Sequence, residues 1–261
     1  MTIDLEAALG INWPGGDNKK RVESLKDFFA EARVYREAKT AAEASEQSIL
    51  KDPRFEAMLP YLAGEKPVIV EAHTRKEIVE AILFAEEEKV KLILAGAGDA
   101  WKVADELKKR DIPVIVGPVM RRPHESWDPY DAPYANAGRL HAAGVRFCIR
   151  SDSASNSRNA PFEAARAVAF GLPPEAGLRA VTLSAAEILG LDEELGSLEV
   201  GKRATLIVTD GSPLQHTAQI HGIFIDGQPY RPESRQTEFY HRYRQRIQQP
   251  DPAPVTLIDA P

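Results

Sequence analysis

Glu71 and His73 close the apolar run PVIVEAH. Side chains alternate along a strand, so two residues this far apart point the same way and form a carboxylate–imidazole pair. Such a pair serves as a metal-ligand couple or as a plain structural hydrogen bond, and spacing leaves both readings open. Asp152 follows a second apolar run, VRFCIRS, inside a Ser-Asp-Ser-Ala-Ser-Asn stretch. A strand-end aspartate there suits a catalytic carboxylate, and equally a cap for the next turn or helix. Positive charge gathers at the same strand ends. Arg150 stands two residues before Asp152, while Arg121 and Arg122 open the loop RRPHESWDPY that also carries His124. Guanidinium groups match carboxylates with paired bonds, which makes Arg121 and Arg150 candidates for orienting a substrate carboxylate. His124, on a loop at a strand end, is a candidate for substrate contact. Solvated loop arginines are the plainer reading of the same residues.

The other histidines are His141, His216, His221 and His241, and no two of the six are separated by a single residue. His141 falls in an amphipathic helix, His216 and His221 flank an expected strand, and His241 belongs to a tail helix, so surface or packing roles are expected for all four. Cys148 is the single cysteine, which excludes an internal disulfide or a Cys-rich zinc site and reads as a small buried strand residue. The turn Ala95-Gly96-Ala97-Gly98 offers no ligand side chain. It reads as a tight turn, or as backbone that could approach an anion.

The elements that must position these residues are legible as an alternation. Short continuous apolar runs (PVIVEA, KLILAG, IPVIVGP, VRFCIRSD) alternate with amphipathic helices (RKEIVEAILFAEEE, DAWKVADELKKR, ANAGRLHAAG, APFEAARAVAFG). Parallel strands buried on both faces look like this. Four strand–helix units result, compatible with a doubly wound sheet or part of a (β/α) barrel, and in both folds chemistry sits at the C-terminal strand ends. Upstream, residues 1–16 lack periodicity. A long amphipathic helix from about Asn18 to Glu46 puts Val22, Leu25, Phe28, Phe29, Ala32 and Tyr35 on one face, and a second helix opens at Asp52-Pro53 and ends at Gly64. Downstream, Pro173–Leu191 reads as helical, followed by short β segments and a basic-aromatic helix. The expected organisation is an irregular and helical segment (1–60), strand–helix units (61–195), an accessory β segment (196–230) and a C-terminal helix and tail (231–261).

Lys+Arg number 33 and Asp+Glu 39 in 261 residues, a net charge of −6 with both signs dispersed, so nucleic acid is not an expected partner. No signal-like start and no long apolar run occur, so the expectation is a cytoplasmic protein with no membrane partner, acting on a small molecule.

The stretch GLPPEAGLRAVTLSAAEILGLDEELGSLEVGKRATLIVTDGSPL, beginning at Gly171, closely resembles the C-terminal signature of amidohydrolases similar to imidazolonepropionase. The resemblance extends upstream through FCIRSD, AWKVADEL and EKPVIVEAH, from about residue 18 to about residue 245. It implies the C-terminal part of a (β/α)8 TIM barrel, about four βα units, with a short β segment from an accessory β-sandwich. It also implies one or two divalent metals, usually zinc, activating a water that hydrolyses carbon–nitrogen bonds. On this resemblance Asp152 takes the place of the last-strand aspartate that contacts metal and shuttles protons. Glu71 stands where a metal-binding histidine is common, giving Glu71, His73 and Asp152 as the implied metal ligands. The family's His-x-His pair has no counterpart, and Ala95-Gly96 falls where binuclear relatives place another histidine.

A partial barrel leaves strand edges and an apolar face to be covered. Three arrangements would do this: residues 1–60 packing over the opening, association of two chains as a homo-oligomer, or a separate N-terminal half. A catalytically degenerate homologue serving as a binding or subunit module is the alternative function. A doubly wound nucleotide-binding protein is a third reading, weakened by the absence of a phosphate-loop motif.

Overall fold

The computed structural model describes residues 2–4 and 18–248. Two compact units divide the chain, one comprising residues 1–202 with 213–217, the other 203–212 with 218–261.

The larger unit is built on a five-stranded parallel sheet: β1 (Thr2–Asp4), β2 (Val68–Ala72), β3 (Leu92–Gly96), β4 (Val114–Val116) and β5 (Phe147–Ile149). The strands lie side by side in chain order. A doubly wound sheet reverses its strand order at a switch point, and no reversal occurs among the described strands. β1 was not expected, because three residues carry no periodicity; it is specified by pairing Thr2, Ile3 and Asp4 with Ile69, Val70 and Glu71.

One sheet face packs against helices. Val68, Val70, Leu94, Val114 and Val116 join Ile78 and Ile82 of α3 (Arg75–Glu88), Leu107 of α4 (Ala104–Lys109), Leu140 of α5 (Ala132–Ala142), and Ala164 and Ala167 of α6 (Ala160–Ala169) in one core. The long helix α1 (Asn18–Ala44) and α2 (Pro53–Leu62) belong to this layer too. Phe29 and Ala32 are fully buried on the expected apolar stripe, and Phe29 meets Phe84 of α3 edge-on with ring centroids 5.5 Å apart. Of the described part of residues 1–60, Thr2–Asp4 pairs with the edge of β2, while α1 and α2 join the helical layer.

The opposite face is covered by different residues. Pro173–Leu191 forms two short helices, α7 (Pro174–Ala180) and α8 (Leu183–Leu189). Ile188 and Ala185 of α8 pack against Ile69, Ile93, Ile115 and Cys148, the side chains that alternation turns away from the helical layer. Cys148 is buried there as expected, and burial pushes its thiol up to about 12, which makes it inert.

The smaller unit holds an antiparallel sheet of β6 (Leu206–Thr209), β7 (Ile220–Ile225) and β8 (Gln228–Tyr230). Asp226-Gly227 joins β7 to β8 with positive φ at both residues (51° and 78°), the backbone that tight hairpins demand. The basic-aromatic helix α9 (Arg235–Gln248) follows. No helix among the described residues is long and apolar enough to cross a membrane.

Candidate functional site at the strand ends

Glu71 pairs in register with Ala95 of β3, which pairs with Ile115 of β4, which pairs with Cys148 of β5. Arg150 is two residues beyond Cys148 on the same face, and its guanidinium reaches over the intervening strands to the Glu71 carboxylate. The same nitrogen, Nη2, lies 2.6 Å from Asp152 Oδ1. Glu71 Oε1 is also 3.6 Å from His73 Nε2, so the two side chains do share one side as alternation requires. The His73 imidazole and then the Arg150 guanidinium outweigh burial and hold the Glu71 carboxyl down at about 2. At 3.6 Å the imidazole is a neighbouring dipole rather than a full donor, so the Arg150 contact is the tighter of the two.

A second cluster adjoins the first through His73. Arg121 Nη1 stands 3.2 Å from His73 Nδ1 and its Nη2 3.3 Å from His124 Nδ1, and the two imidazole centroids are 5.1 Å apart. A guanidinium only donates, so both Nδ1 atoms accept. In the neutral rings the proton then sits on Nε2. Burial, and then the charge of Arg121, lower the His124 pKa to about 4, so its ring is neutral at pH 7. His124 Nε2 is buried without a hydrogen-bond partner, leaving a donor N–H to be satisfied.

The glycine turn explains how the rings fit. A Cβ on Gly98 would stand 2.5 Å from His124 Cδ2, and one on Gly96 would come closer still to His73 Cε1, with Gly96 at φ +79°. Read from sequence as a plain tight turn, Gly96 and Gly98 clear the space that the imidazoles fill.

Buried polar residues fix the loops. Thr74 and Glu77 form a capping box at the start of α3, and Glu77 Oε2 also accepts the His73 N–H at 2.7 Å. Glu163, on α6, accepts the N–H groups of Val119 and Met120 at 2.6 and 2.8 Å, directly before Arg121. Asn136 of α5 donates to Ala97 O and accepts from Trp101 N, bracketing the glycine turn. Sequence reasoning passed over all of these. The Thr-x-x-Glu spacing was a readable signal for Glu77, whereas Glu163 and Asn136 act over long sequence separations.

Glu71, His73, Arg150 and Asp152 are thus brought together, and Arg121 and His124 join them through His73. Arg122 is exposed, as are His141, His216, His221 and His241. Among the described residues, no three His, Cys, Asp or Glu converge in a way that could hold a metal ion.

Comparison with known proteins adds what geometry cannot. The model of the amidohydrolase family matches residues 133–232. Residues 133–232 are amidohydrolase sequence. The chain is 39% identical over 82 residues to an imidazolonepropionase of Symbiobacterium thermophilum, covering 30% of this chain and 19% of that protein. It is 39% identical over 80 residues to a 5-methylthioadenosine/S-adenosylhomocysteine deaminase of Moorella thermoacetica, covering 26% and 19%. Among solved structures, an amidohydrolase from Thermotoga maritima superposes with a TM-score of 0.75 at 26% identity, over 84% of this chain and 57% of that one. The chain therefore spans less than a fifth of these curated relatives and just over half of the Thermotoga protein. Within the amidohydrolase segment of the match lie Arg150 and Asp152; Glu71, His73, Arg121 and His124 lie upstream of it.

Proposed function

We propose that this chain forms the strand-end site of a hydrolase that cleaves non-peptide carbon–nitrogen bonds with an activated water. The observation that carries the reading is the Glu71–Arg150–Asp152 array beside the His73–Arg121–His124 cluster, at the C-terminal ends of parallel strands in a chain related to amidohydrolases. Chemistry on parallel α/β folds gathers at those ends.

Asp152 is the more exposed of the two carboxylates, at 37% against 24% for Glu71, and it accepts the proton of the attacking water. The water oxygen bonds to the substrate carbon as this proton leaves. The His124 Nε2–H, buried beside Gly98 in the free chain, turns to the substrate oxygen on which charge develops when substrate enters, a role that a neutral imidazole fills at pH 7. The carbon–nitrogen bond then breaks, and the leaving nitrogen takes the proton from Asp152. Arg121 fixes the tautomer of His124 and offers its charge to an anionic group on the substrate, while the charge of Arg150 is taken up by Glu71 and Asp152.

The resemblance implies a divalent metal, zinc in the usual case, which would supply a water of lowered pKa. Zinc takes its donors at about 2.0–2.2 Å from one point. Here an arginine nitrogen already stands between Glu71 and Asp152, and a second guanidinium faces both imidazoles. The residues as placed do not fit a resident metal, and no step is assigned to one.

The sheet is read as an arc of a (β/α)8 barrel, with β6–β8 as the accessory β segment. Sequential strand order supports this, and so does the Glu71–Arg150 contact. In a flat sheet the outer two of four strands lie about 14 Å apart, and a concave face brings them nearer. β1 and β5 each pair on one side only among the described strands. Open edges call for cover, so the working form is proposed to include a second chain, either another copy or a separate N-terminal half.

The test is a mass-spectrometric screen of the purified chain against lactams, cyclic ureas, N-acyl compounds, amidines and aminopurines. Ring opening with gain of one water, or cleavage to an amine or ammonia and a product that retains the water's oxygen, by at least one member and faster than in buffer, supports the reading. No member consumed, alone or with a co-purified partner, counts against it.

A further inference from the structure

We propose that Arg150 is the built-in cation of this site, holding Glu71 and Asp152 together where a divalent ion would otherwise sit, so that the wild-type chain excludes metal. One nitrogen, Nη2, meets both carboxylates, on residues 81 positions apart in the case of Glu71 and Asp152. His73 Nε2 lies 3.6 Å from the same Glu71 oxygen. Two of the three side chains that resemblance marks as ligands therefore hold a guanidinium between them, and the third adjoins one of the two.

Charge points the same way. Arg150 already sets a positive charge between the two carboxylates, and a divalent ion added there would meet that fixed charge at short range. The imidazole Nδ1 atoms are engaged by Arg121, which removes one ligating nitrogen from each ring. Arg150 is also held at a cost: its Nε is buried without a hydrogen-bond partner. A residue serving only to fill space would not need a charged group there, since an unpaired buried donor is destabilising and a methionine would pack without one.

Among the described residues no three His, Cys, Asp or Glu converge while Arg150 is in place, and it follows that removing the guanidinium frees Glu71, His73 and Asp152 to draw together on a cation. This does not rest on turnover, because the readout is binding. Full-length wild type, Arg150→Met, Glu71→Gln and the double variant Arg150→Met/Glu71→Gln would be loaded with zinc, desalted, and measured for zinc per chain, with affinities from calorimetry. Wild type should hold no more zinc than Glu71→Gln. Arg150→Met should bind about one zinc per chain, at least about tenfold more tightly than wild type, and the double variant should lose it. Wild-type protein retaining one zinc that Glu71→Gln releases would overturn the proposal, as would Arg150→Met binding zinc no more tightly than wild type. Should Arg150→Met not fold, thermal melts of wild type decide: a midpoint unchanged between zinc and EDTA supports the proposal, and a zinc-dependent rise that Glu71→Gln abolishes overturns it.

Discussion

The Arg150 guanidinium, at the end of β5, closes onto the Glu71 carboxylate of β2 across two intervening strands. This contact ties the amidohydrolase segment to the strands that precede it. It has consequences for acid stability, because a carboxylate held at about 2 in the fold would titrate near 4.3 in the unfolded chain.

The first prediction follows from that difference. The folded pKa of Glu71 is depressed, so the unfolded chain binds the proton first as pH falls. The stabilisation from Glu71 is complete above about 4.3 and is lost progressively as pH drops toward about 2. Glu71→Gln should lower stability at pH 7 by about 1–2 kcal/mol, a figure reduced for partial solvent exposure. It should also flatten the loss of stability in the acid window. Urea titrations of both proteins from pH 2 to pH 6 measure this; identical pH profiles would contradict it.

A second prediction concerns His124, whose folded pKa is lowered to about 4 by burial and Arg121. Its unfolded value is near 6.5, so between about 6.5 and 4 the unfolded chain holds the extra proton, and stability falls as pH falls through that window. Nitrogen-15 spectra of labelled imidazoles should show His124 neutral at pH 5.5, with its proton on Nε2 because Arg121 donates to Nδ1. An imidazolium at that pH, or a proton on Nδ1, would refute the assignment of His124 as donor to the substrate oxygen.

The glycines give a third. A methyl at Gly96 strikes the His73 ring and strains a backbone at φ +79°, while one at Gly98 stands 2.5 Å from His124 Cδ2. Each Gly→Ala change should cost about 1–3 kcal/mol. The two variants should differ spectroscopically, Gly98→Ala displacing the His124 resonances and Gly96→Ala those of His73. Denaturation midpoints with the same nitrogen spectra check both points.

How much of this was legible varies by residue and by the range of the interaction. β2 to β5 could be read because a strand buried on both faces is a continuous apolar run, as in Leu92–Gly96. The common side of Glu71 and His73 followed from alternation alone. β1 was hidden because Thr2–Asp4 is a strand only by virtue of its partner. That α8 would cover the sheet face turned away from the helical layer was also hidden: Ala185 and Ile188 announce an apolar helix surface but not which sheet face receives it. The partner of Arg150 depends on register summed over four strands, and no local pattern encodes that. Arg150 and Arg121 were read as candidates to orient a substrate; that they also bind the carboxylates and imidazoles beside them emerges only from tertiary structure.

The most direct test of the account is turnover by Asp152→Asn against wild type, on whichever carbon–nitrogen substrate the screen returns. The substitution keeps shape and removes the proton acceptor, so kcat should fall by a factor on the order of 100 or more, with KM changed much less. Undiminished kcat in folded Asp152→Asn would contradict the assignment of the strand-end carboxylate as the base.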